Sequence, residues 1–292
     1  MKNYISIVSV SFLILSCQQD SGVLSTLYSL PKKLKEVSGI SYAEDTNLLW
    51  TLEDSGNANK IYSLNPEGKI ENEITITNTK NRDWEDITQD NQGNLYIGDF
   101  GNNENDRKDL CIYKIDKTGL KSGSVSPAYK INFAYPEQTE FPPKKKNLVF
   151  DVESFFEYDG FFYLFTKNRS KDFDGTSSIY KIVNKAGFQK AQLIGKFTTG
   201  NDYNTDAITS AAISPDDSKV VLLSHSKIWL FEGYKKDDFL SGTVKELDLK
   251  HYSQKESISF KDNKTVFIAD EKTKKMGGKV YEVNLKKLKS KT

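Results

Sequence analysis

The residues best placed to do chemistry are carboxylates that recur at one register. Five segments share a polar or acidic residue, a gap, a second small or acidic residue and then an apolar strand: Glu36-Val-Ser38-Gly-Ile40, Asp83-Trp-Glu85-Asp-Ile87, Asp151-Val-Glu153-Ser-Phe155, Thr209-Ser-Ala211-Ala-Ile213 and Gln254-Lys-Glu256-Ser-Ile258. Aligning them on their last residues superposes Ser38, Glu85, Glu153, Ala211 and Glu256. One step further out it superposes Glu36, Asp83, Asp151, Thr209 and Gln254. Side chains two apart share a face of a strand. If that face looks toward a common axis, Glu85, Glu153 and Glu256 converge, with Glu36, Asp83 and Asp151 beside them. Converging carboxylates repel unless one is protonated or a cation sits among them. An oxygen-only donor set suits Ca²⁺ or Mg²⁺. These six acids are therefore the candidate metal ligands. The alternative is internal pairing with Arg82, Lys167 and Arg169 or with backbone amides.

The polar turns that follow the second strand of each unit should form the rim of the same site. They contribute Glu53-Asp54-Ser55-Gly56-Asn57, Asp99-Phe-Gly101-Asn102-Asn103, Thr166-Lys167-Asn168-Arg169, Ser224-His225-Ser226 and Asp270-Glu271-Lys272. Turns of this composition bend tightly and bring carbonyls and carboxylates into a small volume. His225 is the one imidazole near this rim. With Glu85 and Glu153 it is a candidate general base, which permits hydrolysis without demonstrating it. The sequence has no Gly-x-Ser-x-Gly elbow, no His-Glu-x-x-His and no phosphate loop.

Positioning such a ring requires repeated strands, and the sequence supplies them. After each segment come a polar turn and a second apolar strand, at Leu48–Leu52, Leu95–Ile97, Phe161–Phe165, Val220–Leu223 and Thr265–Ile268. Third strands follow, four of them built on Ile-Tyr or Val-Tyr, and fainter fourth strands lie at Glu73–Ile76, Ala128–Phe133, Ala191–Ile194 and Val244–Leu247. The fifth unit runs out of chain, and Val23–Tyr28 is the available strand to complete it. That closure would remove the open sheet edges. The reading is an all-β fold, a β-propeller of five blades closed by an N-terminal strand. A sixth, degenerate blade hidden in the insertions Asp116–Pro127 and Tyr135–Leu148 is the alternative. The propeller spans 23–285, with a Lys-rich tail at 286–292.

The chain has 292 residues and a formal net charge of +1, which argues against nucleic-acid binding driven by overall charge. Lys2 precedes an apolar run from Tyr4 to Leu15, too short to span a bilayer and suited to a signal-peptide core. The run ends in Ile14-Leu15-Ser16-Cys17, which resembles a bacterial lipobox. Cleavage after Ser16 would leave Cys17 lipidated, with 1–16 as leader and 17–22 as a tether. The expected location is the cell envelope, attached to a membrane by the lipid, on the periplasmic side or at the surface. Gln18-Gln19-Asp20 faintly resembles the surface-export signal of some Bacteroidetes lipoproteins. Cys111, in the strand-like Leu110–Ile115, reads as a small buried hydrophobe.

The stretches Asp83-Trp84-Glu85-Asp86-Ile87 and Leu95-Tyr-Ile-Gly-Asp99-Phe-Gly-Asn-Asn103 resemble a family of bacterial secreted propellers. Leu49-Trp50, Asp54-Ser55-Gly56, Thr166-Lys167, Ser214-Pro215-Asp216 and Glu256-Ser-Ile258 extend that resemblance over about 36–272. More distantly the chain is similar to phytase-like, SdiA-regulated and gluconolactonase-like propellers. The resemblance implies a divalent ion held in the channel by ring carboxylates, with Ala211 as a departure in the fourth unit. Two functions are compatible with these residues. One is a binding module presenting its rim to an envelope protein, a glycan or a small molecule. The other is a metal-dependent hydrolase of an ester, lactone or phosphate, with Glu85, Glu153 or His225 as base. Aromatics near turns, such as Tyr203 and Phe173, motivate the glycan option.

Overall fold

The computed structural model describes residues 23–274 and 276–290, so the leader, Cys17 and the tether lie outside the described residues. Strands form five sheets, each a blade. Blade 1 is Val37–Ala43, Leu48–Glu53, Lys60–Leu64 and Ile70–Ile76. Blade 2 is Trp84–Gln89, Leu95–Asp99, Cys111–Ile115 and Tyr129–Ala134. Blade 3 is Asp151–Tyr158, Phe161–Lys167, Thr176–Val183 and Gln192–Thr198. Blade 4 is Ser210–Ile213, Lys219–Leu223, Lys227–Glu232 and Thr243–Asp248. Blade 5 is Lys255–Asp262, Thr265–Asp270, Lys279–Asn284 and, from the other end of the chain, Ser25–Ser29. The first strands of consecutive blades pack side by side, and the first strand of blade 5 packs on that of blade 1, so the ring is closed. The protein is a five-bladed β-propeller.

The insertions hold no further blade among the described residues. Asp116–Pro127 carries a 3-10 turn, Lys117–Lys121, and a two-residue strand, Ser124–Val125, that pairs in parallel with the outer strand of blade 1. Tyr135–Leu148 carries only the 3-10 turn Lys145–Asn147. Sequence periodicity did not reveal a second edge device. Gly187–Lys190, from the end of blade 3, pairs in parallel with the outer strand of blade 2. Both additions cover an outer edge that would otherwise expose unpaired amides. Part of the Lys-rich tail is packed as well: Leu288 is buried beside Leu285 against blades 4 and 5, and Ser290 bridges Leu247.

The apolar core is divided among the blade interfaces. Five buried clusters each draw on two neighbouring blades, so the inner strands are covered on both faces. That explains why the strands read as near-continuous apolar runs rather than alternating ones. Trp84 and Cys111 lie in the cluster between blades 1 and 2, and burial pushes the Cys111 thiol up to about 11. The closing strand is antiparallel to Lys279–Asn284, with Ser25 opposite Glu282 and Ser29 opposite Lys279. The chain thus enters the propeller at the end where the first strands finish and climbs toward the end where they begin.

Blades meet most closely at the first strands. A Cβ on Gly39 would lie 2.7 Å from the Asp86 Cα and 2.7 Å from the Ile87 nitrogen. Those backbone atoms cannot step aside without spreading blades 1 and 2. Gly39→Ala is therefore expected to cost about 1–3 kcal/mol of stability, read as a lower midpoint in thermal denaturation. An unchanged midpoint would show that this contact can relax.

Candidate functional site

A ring of small side chains separates the two mouths of the channel. Asp86 Oδ2 accepts from the Phe155 amide at 3.2 Å, Ser154 Oγ from the Ala211 amide at 2.6 Å, and Ser210 Oγ from the Ile258 amide at 3.1 Å. Each is the same contact, made from one blade to the next. Gly39 faces the Ile87 amide in the same way. Ser257 is the residue before Ile258, and its buried hydroxyl has no partner among the described residues.

This ring corrects the alignment of the fourth unit. The counterpart of Ile40, Ile87, Phe155 and Ile258 is Ala211, not Ile213. Thr209, not Ala211, therefore stands level with Glu85, Glu153 and Glu256, and Ala207 stands level with Glu36, Asp83 and Asp151. The motif Thr-Ser-Ala-Ala-Ile imitates the others two residues out of step. The departure expected at Ala211 belongs to Thr209, whose hydroxyl donates to the Lys255 carbonyl at 2.7 Å. Ser38 donates to the Trp84 carbonyl at 2.8 Å in the same manner.

The Glu ring has a backbone cause that period-two alternation does not contain. In blades 1, 2, 3 and 5 the pairing of the first strand slips between Val37 and Gly39, Trp84 and Asp86, Val152 and Ser154, and Lys255 and Ser257. The residue at each slip is Ser38, Glu85, Glu153 or Glu256. A bulge of this kind re-aims a side chain and adds local twist. The carboxylates are thus delivered to the mouth by bulges, just above the ring.

The six expected ligands do not form one set. Glu153 is gripped by Lys167 Nζ at 3.2 Å and Arg169 Nη2 at 2.6 Å. Burial would raise this carboxyl, but the two cations overcome it and hold it at about 2. Asp151 pairs with Arg169 Nε and accepts from the Asn102 amide at 2.6 Å. Burial and the Glu153 charge push Asp151 up to about 7, with Arg169 pulling against them. Glu256 meets His225 Nε2 at 3.0 Å, and Glu36 accepts from Asn57 Nδ2 at 2.7 Å. Lys167 and Arg169 thus take the pairing role that the sequence allowed them. Arg82 instead pairs with Asp109, away from the ring.

Asp83 and Glu85 are different. No ion pair reaches either among the described residues. A Cβ on Gly101 would collide with both Glu85 Oε1 and Asp83 Oδ2, so the two oxygens lean over a bare Cα within a few ångström of each other. Burial, then the Asp54 charge, push Asp83 up to about 7, against Arg107 and a hydrogen bond from Ser55. Burial, then Glu153, Asp83, Asp151 and Asp54, push Glu85 well above the usual carboxylate range. Glu271 is driven up to about 8 by burial, then by Glu256, Asp54 and Glu36. Asp54 and Glu271 belong to the rim turns, but nothing in their local sequence sets them apart from ordinary turn acids. Arg107 was missed altogether; it ties the Asp99 loop together through Asp99 Oδ1 at 2.8 Å and the Gly101 carbonyl at 2.7 Å.

His225 is held between Glu256 and the Tyr252 ring, whose centroid lies 5.8 Å away, and its Nδ1 is buried with no partner among the described residues. Tyr203 and Phe173 meet edge to face at 5.3 Å, and Arg169 donates to the Tyr203 hydroxyl at 3.1 Å. Both aromatics thus sit beside the acidic mouth.

Below the ring a cavity of about 1000 Å³ opens, with Ile40, Ile87, Phe155, Ala211 and Ile258 around its floor. Asp86 is also at this floor, buried, accepting from Ser154 Oγ at 2.7 Å and from the amides of Phe155 and Ile87. Burial pushes it well above the usual carboxylate range, against those hydrogen bonds.

A carboxyl whose affinity for a proton is raised by folding costs stability once it ionises. For Asp83 the penalty is absent below about pH 4, where folded and unfolded chains both hold the proton. It grows as pH rises toward 7. Without added divalent ions, Asp83→Asn is expected to raise stability by on the order of 1–2 kcal/mol at pH 8 and by little at pH 4. Denaturant titrations at the two pH values check this; a gain of equal size at both would mean that the Asp83 charge is not the cause.

The model of the SdiA-regulated family matches residues 26–140, which supports the relation that the motifs carry. That stretch holds the closing strand and blades 1 and 2, and with them Asp54, Asp83 and Glu85. No curated protein matches the chain. Among solved structures, a chain from a crystal structure of a nidogen/laminin complex is similar over 92% of this chain and 90% of its own, at 12% identity and a TM-score of 0.49. The structure of U3-55K is similar over 91% of this chain and 99% of its own, at 9% identity and a TM-score of 0.45.

Proposed function

We propose that the protein is a lipid-anchored binding module of the cell envelope that holds a divalent cation at the acidic mouth of its propeller. Cys17, behind its short apolar leader, supplies the anchor. The observation that carries the cation is the asymmetry of the acid ring. Asp151, Glu153 and Glu256 already have protein partners, whereas Asp83 and Glu85 lean together over Gly101 with Asp54 beside them.

The donor chemistry fits: two carboxylates with a third acid, Asp54, nearby, and no sulfur or imidazole, suit Ca²⁺ and, with more retained water, Mg²⁺. Among the described residues, no group of three or more His, Cys, Asp or Glu side chains is arranged to hold a metal ion. The reading therefore names Asp83 and Glu85 as the ligands, with water completing the shell. A cation there would replace the proton that the crowded carboxyls otherwise retain, which links binding to proton release. Asp151, Glu153, Glu256 and Glu36 are not needed as ligands. Their role is to set the field and, through Lys167, Arg169 and His225, to present donors to whatever docks on the rim.

Calorimetric titration of Ca²⁺ into chelator-treated protein is expected to show saturable binding. Glu85→Gln and Asp83→Asn should each weaken it about tenfold or more, while Glu157→Gln at the far mouth leaves it unchanged. Absence of heat together with no thermal shift would overturn the cation and leave the acids compensated within the protein. A second reading, hydrolysis, draws on the His225–Glu256 pair. Turnover of a model ester, lactone or phosphate that is abolished by His225→Ala would establish it in place of the binding module.

A further inference from the structure

The cavity at the far mouth stands apart from the acidic mouth, because the ring of Gly39, Asp86, Ser154, Ser210 and Ser257 lies between them. At about 1000 Å³ it is at the upper end of small-ligand sites. It opens on the fold axis, where all five blades contribute. Its lining excludes two ligand classes. An apolar ligand would strand the hydrogen-bonding groups of the wall. A highly charged one of either sign would meet a mixed wall: Glu157 and Asp217 have no cationic partner and Lys236 no anionic one among the described residues, while Lys117, Lys181 and Lys261 are already paired with Asp45, Asp237 and Glu282. A cation finds little at the floor, where Asp86 already accepts three hydrogen bonds.

What remains is a neutral ligand rich in hydroxyls. Tyr42 and Tyr158, from blades 1 and 3, are half-buried in the lining. Tyr42 is braced by Phe267 at 5.2 Å, and Tyr158 packs on Tyr163 at 6.1 Å. Braced rings lose little freedom when a ligand stacks on them. The Tyr158 hydroxyl has no hydrogen-bond partner among the described residues. Gln89 donates to the Tyr42 carbonyl at 2.6 Å, and its own amide oxygen makes no hydrogen bond among them. Sugars offer the complement: an apolar C–H face for a tyrosine ring and hydroxyls for free donors and acceptors.

We infer that the far cavity binds a neutral carbohydrate chain, end-on along the propeller axis. The observations behind it are independent of the cation, so either reading can fail without the other.

The test is an array of neutral and acidic oligosaccharides probed with the protein, with each hit followed by calorimetry. Binding to neutral glycans is expected, with acidic ones silent. Tyr158→Ala and Gln89→Ala should each weaken the hit about tenfold, and Lys245→Ala, on the outer strand of blade 4, should leave it unchanged. Gln89→Ala keeps the test open if Tyr158→Ala fails to fold. A silent array would overturn the inference, as would binding that survives both cavity variants or is lost only in Lys245→Ala. Saturable binding of spermidine by a protein silent on the array would assign the cavity to cations instead.

Discussion

Everything in this propeller depends on how tightly five first strands can be brought round one axis. With few blades the inner backbones nearly touch, and side chains between them must be small or make hydrogen bonds. Gly39, Ser154, Ser210 and Ser257 meet that demand by size. Asp86 meets it by accepting from Ser154 and two amides. The result is a polar belt rather than an apolar one, which orients each blade against the next through directional bonds. The apolar clusters outside the belt supply the larger share of the driving force, but they tolerate sliding far better than the belt does.

The belt also divides one channel into two mouths with different linings. Above it, bulges add one residue to four of the five first strands and aim that residue at the mouth. The bulge residues are three glutamates and a serine, so charge gathers there by construction. Two blades give their acid a partner: Lys167 and Arg169 in blade 3, His225 for blade 5. Blade 2 does not, and its pair of acids lies over a glycine that leaves them room. Below the belt the strands splay with their twist, and the space fills with hydroxyls, amides and rings.

Much of this was legible in the sequence. The repeated acid–gap–acid–strand pattern places the first strands, and the Ile-Tyr pairs place the third. The unpaired fifth unit predicts the closing strand. The acids of blades 1, 2, 3 and 5 were found at their correct level. What failed has physical reasons. Thr209-Ser-Ala-Ala-Ile213 matches the pattern at two registers, and only the Ser210–Ile258 contact decides between them. Bulges insert a residue without changing composition, so alternation alone cannot reveal them. The parallel strands Ser124–Val125 and Gly187–Lys190 are short, and their pairing partners are remote in sequence. Which acids keep a free charge depends on Lys167, Arg169 and His225 reaching across the mouth, and sequence spacing does not encode that reach.

The closing strand has a mechanical consequence. Ser25–Ser29 runs from the cavity side to the acidic side along the outer edge of blade 5. A pull from the N-terminal side acts along the strand, so its hydrogen bonds to Lys279–Asn284 share the load in shear rather than opening one by one. Under the proposed anchorage at Cys17, eight residues separate the lipid from Ser25, a reach of at most about 25–30 Å. The cavity would then face the membrane at close range, and the acidic mouth would point into the surrounding medium. Drag on the domain would load the one joint that holds the ring shut. Because that joint resists in shear, the anchor can be pulled hard without unlatching the propeller.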